Sequence, residues 1–254
     1  MKNLLVPISF SEASEKSLQQ AVSIARQYGA ALNLLHCYPA REYNRKYDFG
    51  KENYESGIRR MLKEFYEKHI DNTSGVTYDI STCEGPVSEI ISEISPKYDL
   101  LVLSRKTGFQ SKKNKWFSDK IFHFVTRARC PVLLLPVNTP GFSFNQLETI
   151  WHIKRQKNET ELINFELARL GIPAEKVTPK SLEQKIFFSA FWQNIVAYTQ
   201  KHDDAILKKI SASYGKDHID LLVLVNQRKS LFEAFLKEDA FQIISQFDIP
   251  ILIV

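Results

Sequence analysis

The sequence has little glycine and cysteine, and it lacks any long apolar run. Its 254 residues include nine glycines and three cysteines. The low glycine content excludes an architecture of glycine-rich repeats. The lack of a long apolar run excludes a membrane-spanning helix, which needs about 20 consecutive apolar residues. The apolar run near the first residue is too short for a signal peptide. We therefore expect a cytoplasmic protein.

Cysteine and histidine form no pattern that is typical of a disulfide framework or a metal site. Cys37, Cys83 and Cys130 lie far apart without CxxC spacing, which favours free thiols in a reducing compartment. The six histidines form neither HxxxH nor HExxH, so we expect no metal site. His36-Cys37 has no acid at a spacing that would orient a catalytic pair. Buried packing is the simpler interpretation of these two residues.

The charge balance is only mildly basic. Lysine and arginine number 34 against 29 aspartates and glutamates, a net charge of +5. No nucleic-acid reader motif accompanies this excess. We therefore expect neither a nucleic-acid nor a membrane partner, and the Lys-rich segment 105–120 is most simply a solvated surface.

The chain does contain one long pattern that occurs twice. Each copy starts with aspartate and an apolar run, passes through a basic polar turn and an amphipathic stretch, and ends in a Pro-led apolar run. The first copy begins at Asp99 and reaches Pro131 after 32 positions; the second begins at Asp220 and reaches Pro250 after 30. This spacing predicts one supersecondary unit used twice. Apolar runs on both sides of a helical pattern are typical of a right-handed βαβ crossover.

The first half predicts strands that alternate with helices. The strands are expected at 3–8, 31–38, 76–82, 100–103 and 132–135. Ser9 is predicted to open the first helix, with Glu12 completing a capping box, and Gly29 to end it. A second helix is expected over 51–70, a third from Pro86, and a fourth between the last two strands. Such alternation predicts an α/β fold with a doubly wound parallel sheet.

The second half predicts a shortened version of this fold. A strand is expected over 148–154 and a helix over 159–170, ended by a glycine and a proline. Residues 194–200 and 205–214 resemble the third strand and third helix of the first half. Residues 181–191 are ambiguous, with helix favoured. The front of this half is compressed, so one strand or helix there is expected to be shortened or rerouted.

The composition also predicts where the domains meet. The turn-rich letters NTPGFSFN indicate a linker. We predict a first domain over 1–137, a linker over 138–146 and a second domain over 147–254.

Four segments of the first half resemble motifs of the universal stress protein family, whose first strand and loop are usually written V-P-x-D-F-S. The matching segments are Leu4-Leu5-Val6-Pro7 with Phe10-Ser11-Glu12, Glu84-Gly85-Pro86 with Ile90-Ile91, Tyr98-Asp99-Leu100-Leu101-Val102-Leu103, and Arg129-Cys130-Pro131-Val132-Leu133-Leu134-Leu135. The second half matches mainly from Asn194 onward. The resemblance implies two Rossmann-like, five-stranded domains of the adenine nucleotide alpha hydrolase type in tandem, the second one degenerate.

The same resemblance draws attention to one loop. Nucleotide-binding members of the family carry G-x2-G-x9-G-[ST] after the fourth strand, because glycine lets backbone N–H groups close on phosphates. Here Gly108 is the only glycine of that loop, and Phe117 precedes Ser118 where the last glycine is expected. Ser9 replaces the family's aspartate at the end of the first strand, which helps to hold the nucleoside.

These differences imply a stress-response protein that binds no cofactor and acts as a non-enzymatic binding or interaction module. The alternative is a nucleotide-binding regulator or weak ATPase that uses the first domain. ATP would then contact a degenerate site made of Ser9, Gly108, Lys113 and Ser118, with side chains in place of glycine amides.

Two expectations concern partners. The closing strands 132–135 and 251–254 are expected to pair across a pseudo-twofold, as the family's dimers do, so that the chain is an intramolecular pseudo-dimer and can form a homodimer as well. A protein or small-molecule partner is also expected, and the sequence does not specify it. A further alternative is a hydrophobic-ligand pocket in the second domain, lined by Phe187, Phe188, Phe191 and Trp192.

Overall fold

The computed structural model describes nine stretches of the chain. They are residues 1–39, 50–71, 75–105, 124–139, 141–153, 159–172, 177–180, 219–225 and 249–254. Contacts divide the described residues into two compact units, the first ending at Asn145 and the second starting at Gln146. The domain and linker boundaries inferred from composition stay a prediction.

The first unit contains a parallel sheet. Its strands are β1 (Asn3–Pro7), β2 (Ala31–Tyr38), β3 (Tyr78–Glu84), β4 (Leu100–Arg105) and β5 (Val132–Pro136). Their order is β3-β2-β1-β4-β5, and every neighbouring pair is parallel. The doubly wound α/β fold is therefore confirmed, with each strand within two residues of its predicted bounds. In this order the winding reverses between β1 and β4.

Helices cover the sheet. They are α1 (Glu12–Tyr28), α2 (Gly50–His69) and α3 (Val87–Ile94), with a 3₁₀ turn at Ser95–Lys97. Gly29 ends α1 with a left-handed φ of 61°, which confirms the predicted C-cap. β4 and β5 are buried at every residue, as strands covered on both faces must be. In the described part of the chain, no helix is long and apolar enough to span a membrane.

The first helix starts later than the sequence predicts. Its N-cap is Ser11, which accepts the N–H of Ser14 at 3.3 Å and donates its own N–H to the Ser14 hydroxyl at 3.0 Å. The prediction that Ser9 and Glu12 form the cap is wrong. Phe10 adopts a left-handed backbone with φ of 56°, and this turn comes between Ser9 and the first helical residue.

The segment after β5, predicted as a linker, packs against α1. The Gln20 side chain donates to the Thr139 carbonyl at 2.8 Å and accepts the N–H of Phe142 at 2.7 Å. The rings of Phe142 and Phe144 meet edge to face, 4.9 Å apart, and both are buried. These contacts make Phe142 and Phe144 part of the first unit's core.

The second unit is also a parallel α/β structure. Its elements are β6 (Ile150–Ile153), α4 (Glu159–Arg169), β7 (Val177–Lys180), β8 (Leu221–Leu224) and β9 (Ile251–Ile253). The strand order is β9-β8-β6-β7, all parallel. β7 was not predicted. The predictions for 181–191, 194–200 and 205–214 lie outside the described residues, as does most of the predicted helix between β4 and β5.

The same aspartate contact occurs in both units. Asp99 precedes β4 and Asp220 precedes β8, and each carboxylate accepts two backbone N–H bonds from residues at the start of its unit's first strand. The donors are Lys2 and Asn3 for Asp99, at 2.6 and 3.0 Å, and Glu148 and Thr149 for Asp220, at 2.8 Å each. The carboxylate thus ties together the amino ends of two neighbouring strands. This is a structural reason for an aspartate at the head of each sequence repeat.

Candidate functional site

The carboxyl edge of the first unit's sheet separates between β1 and β4. β1 pairs with β2 along all five residues, but with β4 only at Leu4↔Leu100 and Leu5↔Leu101. The carboxyl halves of β1 and β4 are therefore not joined by strand hydrogen bonds. In doubly wound sheets this point, where the winding reverses, is where ligands bind.

Helix α1 places a serine at this gap. The Ser17 hydroxyl accepts the backbone N–H of Ser104 at 2.6 Å and donates to the Ala13 carbonyl at 2.9 Å. Both serines are buried. The Ser104 hydroxyl finds no hydrogen-bond partner among the described residues. The backbone amide near the end of β4 is therefore already bonded to the protein's own side chain.

Aromatic rings cover the carboxyl ends of β1 and β2. The Phe10 ring centroid lies 5.0 Å from that of His36 and 5.5 Å from that of Phe65. Phe65 in turn lies 4.7 Å from His69. We call Phe10, His36, Phe65 and His69 the aromatic cluster. The left-handed backbone at Phe10 directs the chain so that its ring lies among these residues.

Hydrogen bonds fix the two histidines of the aromatic cluster. His36 Nδ1 lies 2.8 Å from the Ile8 carbonyl oxygen, and because a carbonyl only accepts, Nδ1 carries the proton of this bond. His69 Nδ1 lies 3.3 Å from a carboxylate oxygen of Glu15 on α1. His36 and Cys37 are neighbours in β2, so their side chains point to opposite faces of the sheet. A catalytic pair of these two residues is therefore excluded by geometry.

The last residue of β2 is a buried tyrosine. The Tyr38 hydroxyl donates to Glu55 on α2, and its ring lies 5.1 Å from Tyr54. Burial, and then the Glu55 hydrogen bond and charge, raise the pKa of Tyr38 well above its ordinary value. The hydroxyl therefore stays neutral and its hydrogen bond to Glu55 persists at neutral pH.

The structure places one of the residues predicted for a nucleotide site. Ser9 is exposed, and its hydroxyl lies 3.0 Å from that of Ser11. Gly108, Lys113 and Ser118 lie outside the described residues. Among the residues that the structure does describe, no group of three or more His, Cys, Asp or Glu could hold a metal ion.

Three residues of this edge were not predicted from the sequence. Arg105, assigned to a solvated segment, is only 1% exposed, because it is the last residue of the buried strand β4. Ser17 and Phe65 lie on helices, and only the fold brings them to the strand ends. Ser17 was detectable as a polar residue on the apolar face of α1; we find no such signal for Phe65.

A parallel sheet with this strand order and this opening defines the first unit as a Rossmann-like, doubly wound α/β domain. Residues 1–136 match the family model described as "Universal stress protein family". This is more than half of the chain, so the protein belongs to the universal stress protein family. No curated protein matched the chain.

Three solved structures resemble this chain in fold. A universal stress protein from Archaeoglobus fulgidus DSM 4304 has 13% identity and a TM-score of 0.60, covering 99% of this chain and 95% of its own. A putative universal stress protein from Pseudomonas aeruginosa UCBPP-PA14 has 14% identity and a TM-score of 0.53, covering 100% and 93%. A functionally unknown protein from Pseudomonas aeruginosa PAO1 has 12% identity and a TM-score of 0.53, covering 100% and 92%. At these identities the likeness concerns the fold alone.

Proposed function

We propose that this chain is a cytoplasmic stress-response protein that does not bind ATP as the nucleotide-binding members of its family do. It acts without catalysis, as a binding or interaction module. The observation that carries the proposal is Ser9, an exposed serine at the position where the family's nucleoside-holding aspartate is expected. A neutral hydroxyl cannot supply the charged acceptor that holds the nucleoside in those members.

The end of β4 supports the same proposal. Counting back from Phe117-Ser118 with the family spacing G-x2-G-x9-G-[ST] puts the first glycine on Ser104 and the second on Thr107. Ser104 has a buried side chain, and its N–H already donates to Ser17. A backbone amide with a partner inside the protein cannot also close on a phosphate without losing that bond.

We propose further that the second unit is a second, shortened domain of the family. The order β9-β8-β6-β7 repeats the order of β5, β4, β1 and β2. Asp220 makes the contact that Asp99 makes, with donors at the start of the corresponding strand. The counterpart of β3 then falls at the predicted strand 194–200.

The closing strands are the proposed contact between the two domains. β5 and β9 each come last in the strand order of their own unit, and both are apolar, VLLLP and ILI. An apolar strand edge needs a cover to avoid uncontrolled pairing with other chains. Pairing of these two edges would make the chain its own pseudo-dimer. A homodimer and a protein or small-molecule partner are further expectations of this proposal.

Calorimetry of the full-length chain with ATP tests the proposal, together with mass spectrometry of any ligand that co-purifies. We expect no nucleotide in the purified protein and no binding up to millimolar ATP. The double variant Phe10→Ala, Phe65→Ala should still bind no ATP, because Ser9 remains in place of the aspartate and the Ser104 amide stays bonded to Ser17. ATP binding by this variant would contradict the proposal. Phe165→Ala is the matched control, because Phe165 is 64% exposed on α4.

The alternative is a nucleotide-binding regulator or weak ATPase. Arg105 favours it, because this buried cation lies at the end of β4, on the edge where ligands bind. Micromolar ATP affinity that Lys113→Ala or Ser118→Ala abolishes would establish this alternative and refute the proposal.

A further inference from the structure

Two cysteines face each other on neighbouring strands. In the register of β2 and β3, Cys37 pairs with Cys83. Paired residues of adjacent parallel strands direct their side chains to the same face, and the strands lie about 4.8 Å apart. Disulfide bonds need a Cα separation of about 4.4–6.8 Å. The pairing therefore meets the distance that a disulfide requires, although the two residues are 46 positions apart in the sequence.

The surroundings permit a bond to form. Both thiols are free and half-buried. In the described part of the first unit, β3 has a neighbouring strand only on its β2 side, so it can shift slightly to bring the sulfur atoms together. Burial raises the pKa of the Cys37 thiol to about 12, and the neighbouring Cys83 thiol adds to this rise.

We propose that Cys37 and Cys83 form a reversible disulfide when the protein meets a peroxide. The Cys83 thiolate attacks one peroxide oxygen, the O–O bond breaks, and a sulfenic acid and a hydroxide form. The Cys37 sulfur then attacks the sulfenic sulfur, the S–S bond forms, and a second hydroxide leaves. The two thiol protons convert both hydroxides to water. In sum, two thiols and one hydrogen peroxide give one disulfide and two waters.

The environment of each thiol sets the order and the rate of these steps. Burial and the carboxylates of Glu93 and Glu55 raise the pKa of Cys83, but Arg59 lowers it, so Cys83 supplies the first thiolate. Few thiolates are present at neutral pH, so oxidation should be slow and should accelerate as pH rises. Once formed, the disulfide should resist reduction, because thiols that ionise poorly are poor leaving groups.

The disulfide would cross-link β3 to its neighbouring strand β2. The bond lies one register position before Tyr38↔Glu84, at the carboxyl ends of β2 and β3. Closing a loop of this length restricts the unfolded chain, so we expect the melting temperature to rise by about 5 °C or more. The proposal does not depend on whether the protein binds a nucleotide.

Thiol counting on the full-length chain tests the proposal. The reduced protein should show three thiols in denaturant, and hydrogen peroxide should leave one. Peptide mass spectrometry should find the peptides of Cys37 and Cys83 joined with the loss of two hydrogens. A dithiol reductant should restore all three thiols. The control variant Cys130→Ala should lose both remaining thiols, whereas Cys37→Ser and Cys83→Ser should form no internal bond.

Three outcomes would overturn the proposal. They are three unreacted thiols after peroxide treatment of the folded protein, oxidation of Cys83 to a sulfinic acid without a bond to Cys37, and disulfides that join separate chains on a non-reducing gel. The wild-type chain alone distinguishes them, so a variant that fails to fold does not affect the result.

Discussion

The two units agree at the amino ends of their strands and differ at the carboxyl ends. Asp99 and Asp220 make the same contact before β4 and β8. β4 then has six residues, whereas β8 has four. In a parallel α/β sheet, the amino ends serve the fold and the carboxyl ends serve ligands. Both units thus have the same aspartate contact at the amino ends, and the strand that follows the aspartate ends two residues sooner in the second unit.

The residues at the strand ends show the same difference. Asp220 lies 121 positions after Asp99, so the counterpart of Ser104 is Val225. Ser104 is polar and its backbone amide bonds to Ser17, while Val225 is a buried apolar residue. At this position the described residues of the two units therefore differ, with a buried polar residue in the first and a buried apolar residue in the second.

The aspartate contact gives the largest expected effect. Asp99→Ala or Asp220→Ala removes the acceptor of two backbone N–H groups, and a hydrogen bond to a charged group contributes about 1.5–3 kcal/mol. Because both contacts are partly solvated, we expect each variant to lose about 2 kcal/mol in the free energy of unfolding. Urea unfolding measures this, and Asp→Asn at either position should lose about half as much. Similar losses at both positions would support the repeat, and a neutral Asp220→Ala would refute it.

Alkaline pH should lower the stability of the first unit. Burial raises the pKa of Tyr28, Tyr38, Tyr78 and Tyr98 above the ordinary value of about 10. The unfolded chain ionises these groups near pH 10 while the folded chain keeps them neutral. Their contribution is therefore complete below pH 10 and is lost as pH rises above it. The described stretches of the second unit contain no tyrosine.

Urea unfolding at pH 8, 10 and 11 measures this loss, with tyrosinate absorbance following ionisation. Tyr38→Phe lowers stability at pH 8 by about 1 kcal/mol through the lost hydrogen bond to Glu55, and it should make the decline above pH 10 shallower. An unchanged slope in that variant would show that Tyr38 does not contribute to the alkaline loss.

The smallest expected effect concerns the glycines that end corresponding helices. Gly29 follows α1 with φ of 61°, and Gly171 follows α4 with φ of 76°. Alanine disfavours this left-handed conformation, so Gly29→Ala and Gly171→Ala should each cost about 1 kcal/mol. Gly57 lies inside α2, and there Gly57→Ala should stabilise by about 0.5–1 kcal/mol. Thermal melting of the three variants measures both signs; a stabilising Gly171→Ala would contradict the correspondence.

The sequence predicted most of the first unit because its signals are local. Apolar runs mark the strands, and Gly29 has the sequence position of a C-cap. β7 was missed because its letters VTPK contain Pro179, which strands tolerate at an edge. Among the described strands, β7 has only β6 beside it, so it meets this condition.

The rest of the candidate site depends on contacts between distant residues, and no local sequence pattern predicts such contacts. The N-cap moved from Ser9 to Ser11 because one bulky residue, Phe10, adopts a conformation that sequence reasoning assigns to glycine. Cys37 and Cys83 looked unrelated because only the register of β2 and β3 brings them together. The aromatic cluster likewise joins a loop, a strand and a helix.

The side chain of Gln20 has a practical consequence for anyone who wants to isolate the first domain. It bonds to Thr139 and Phe142, and it is itself only 6% exposed. A fragment cut at residue 136, where the family match ends, would leave this amide without those two partners and uncover the surface of α1 that Phe142 and Phe144 protect. Such a fragment should aggregate or be digested by proteases more readily than one that extends through residue 145.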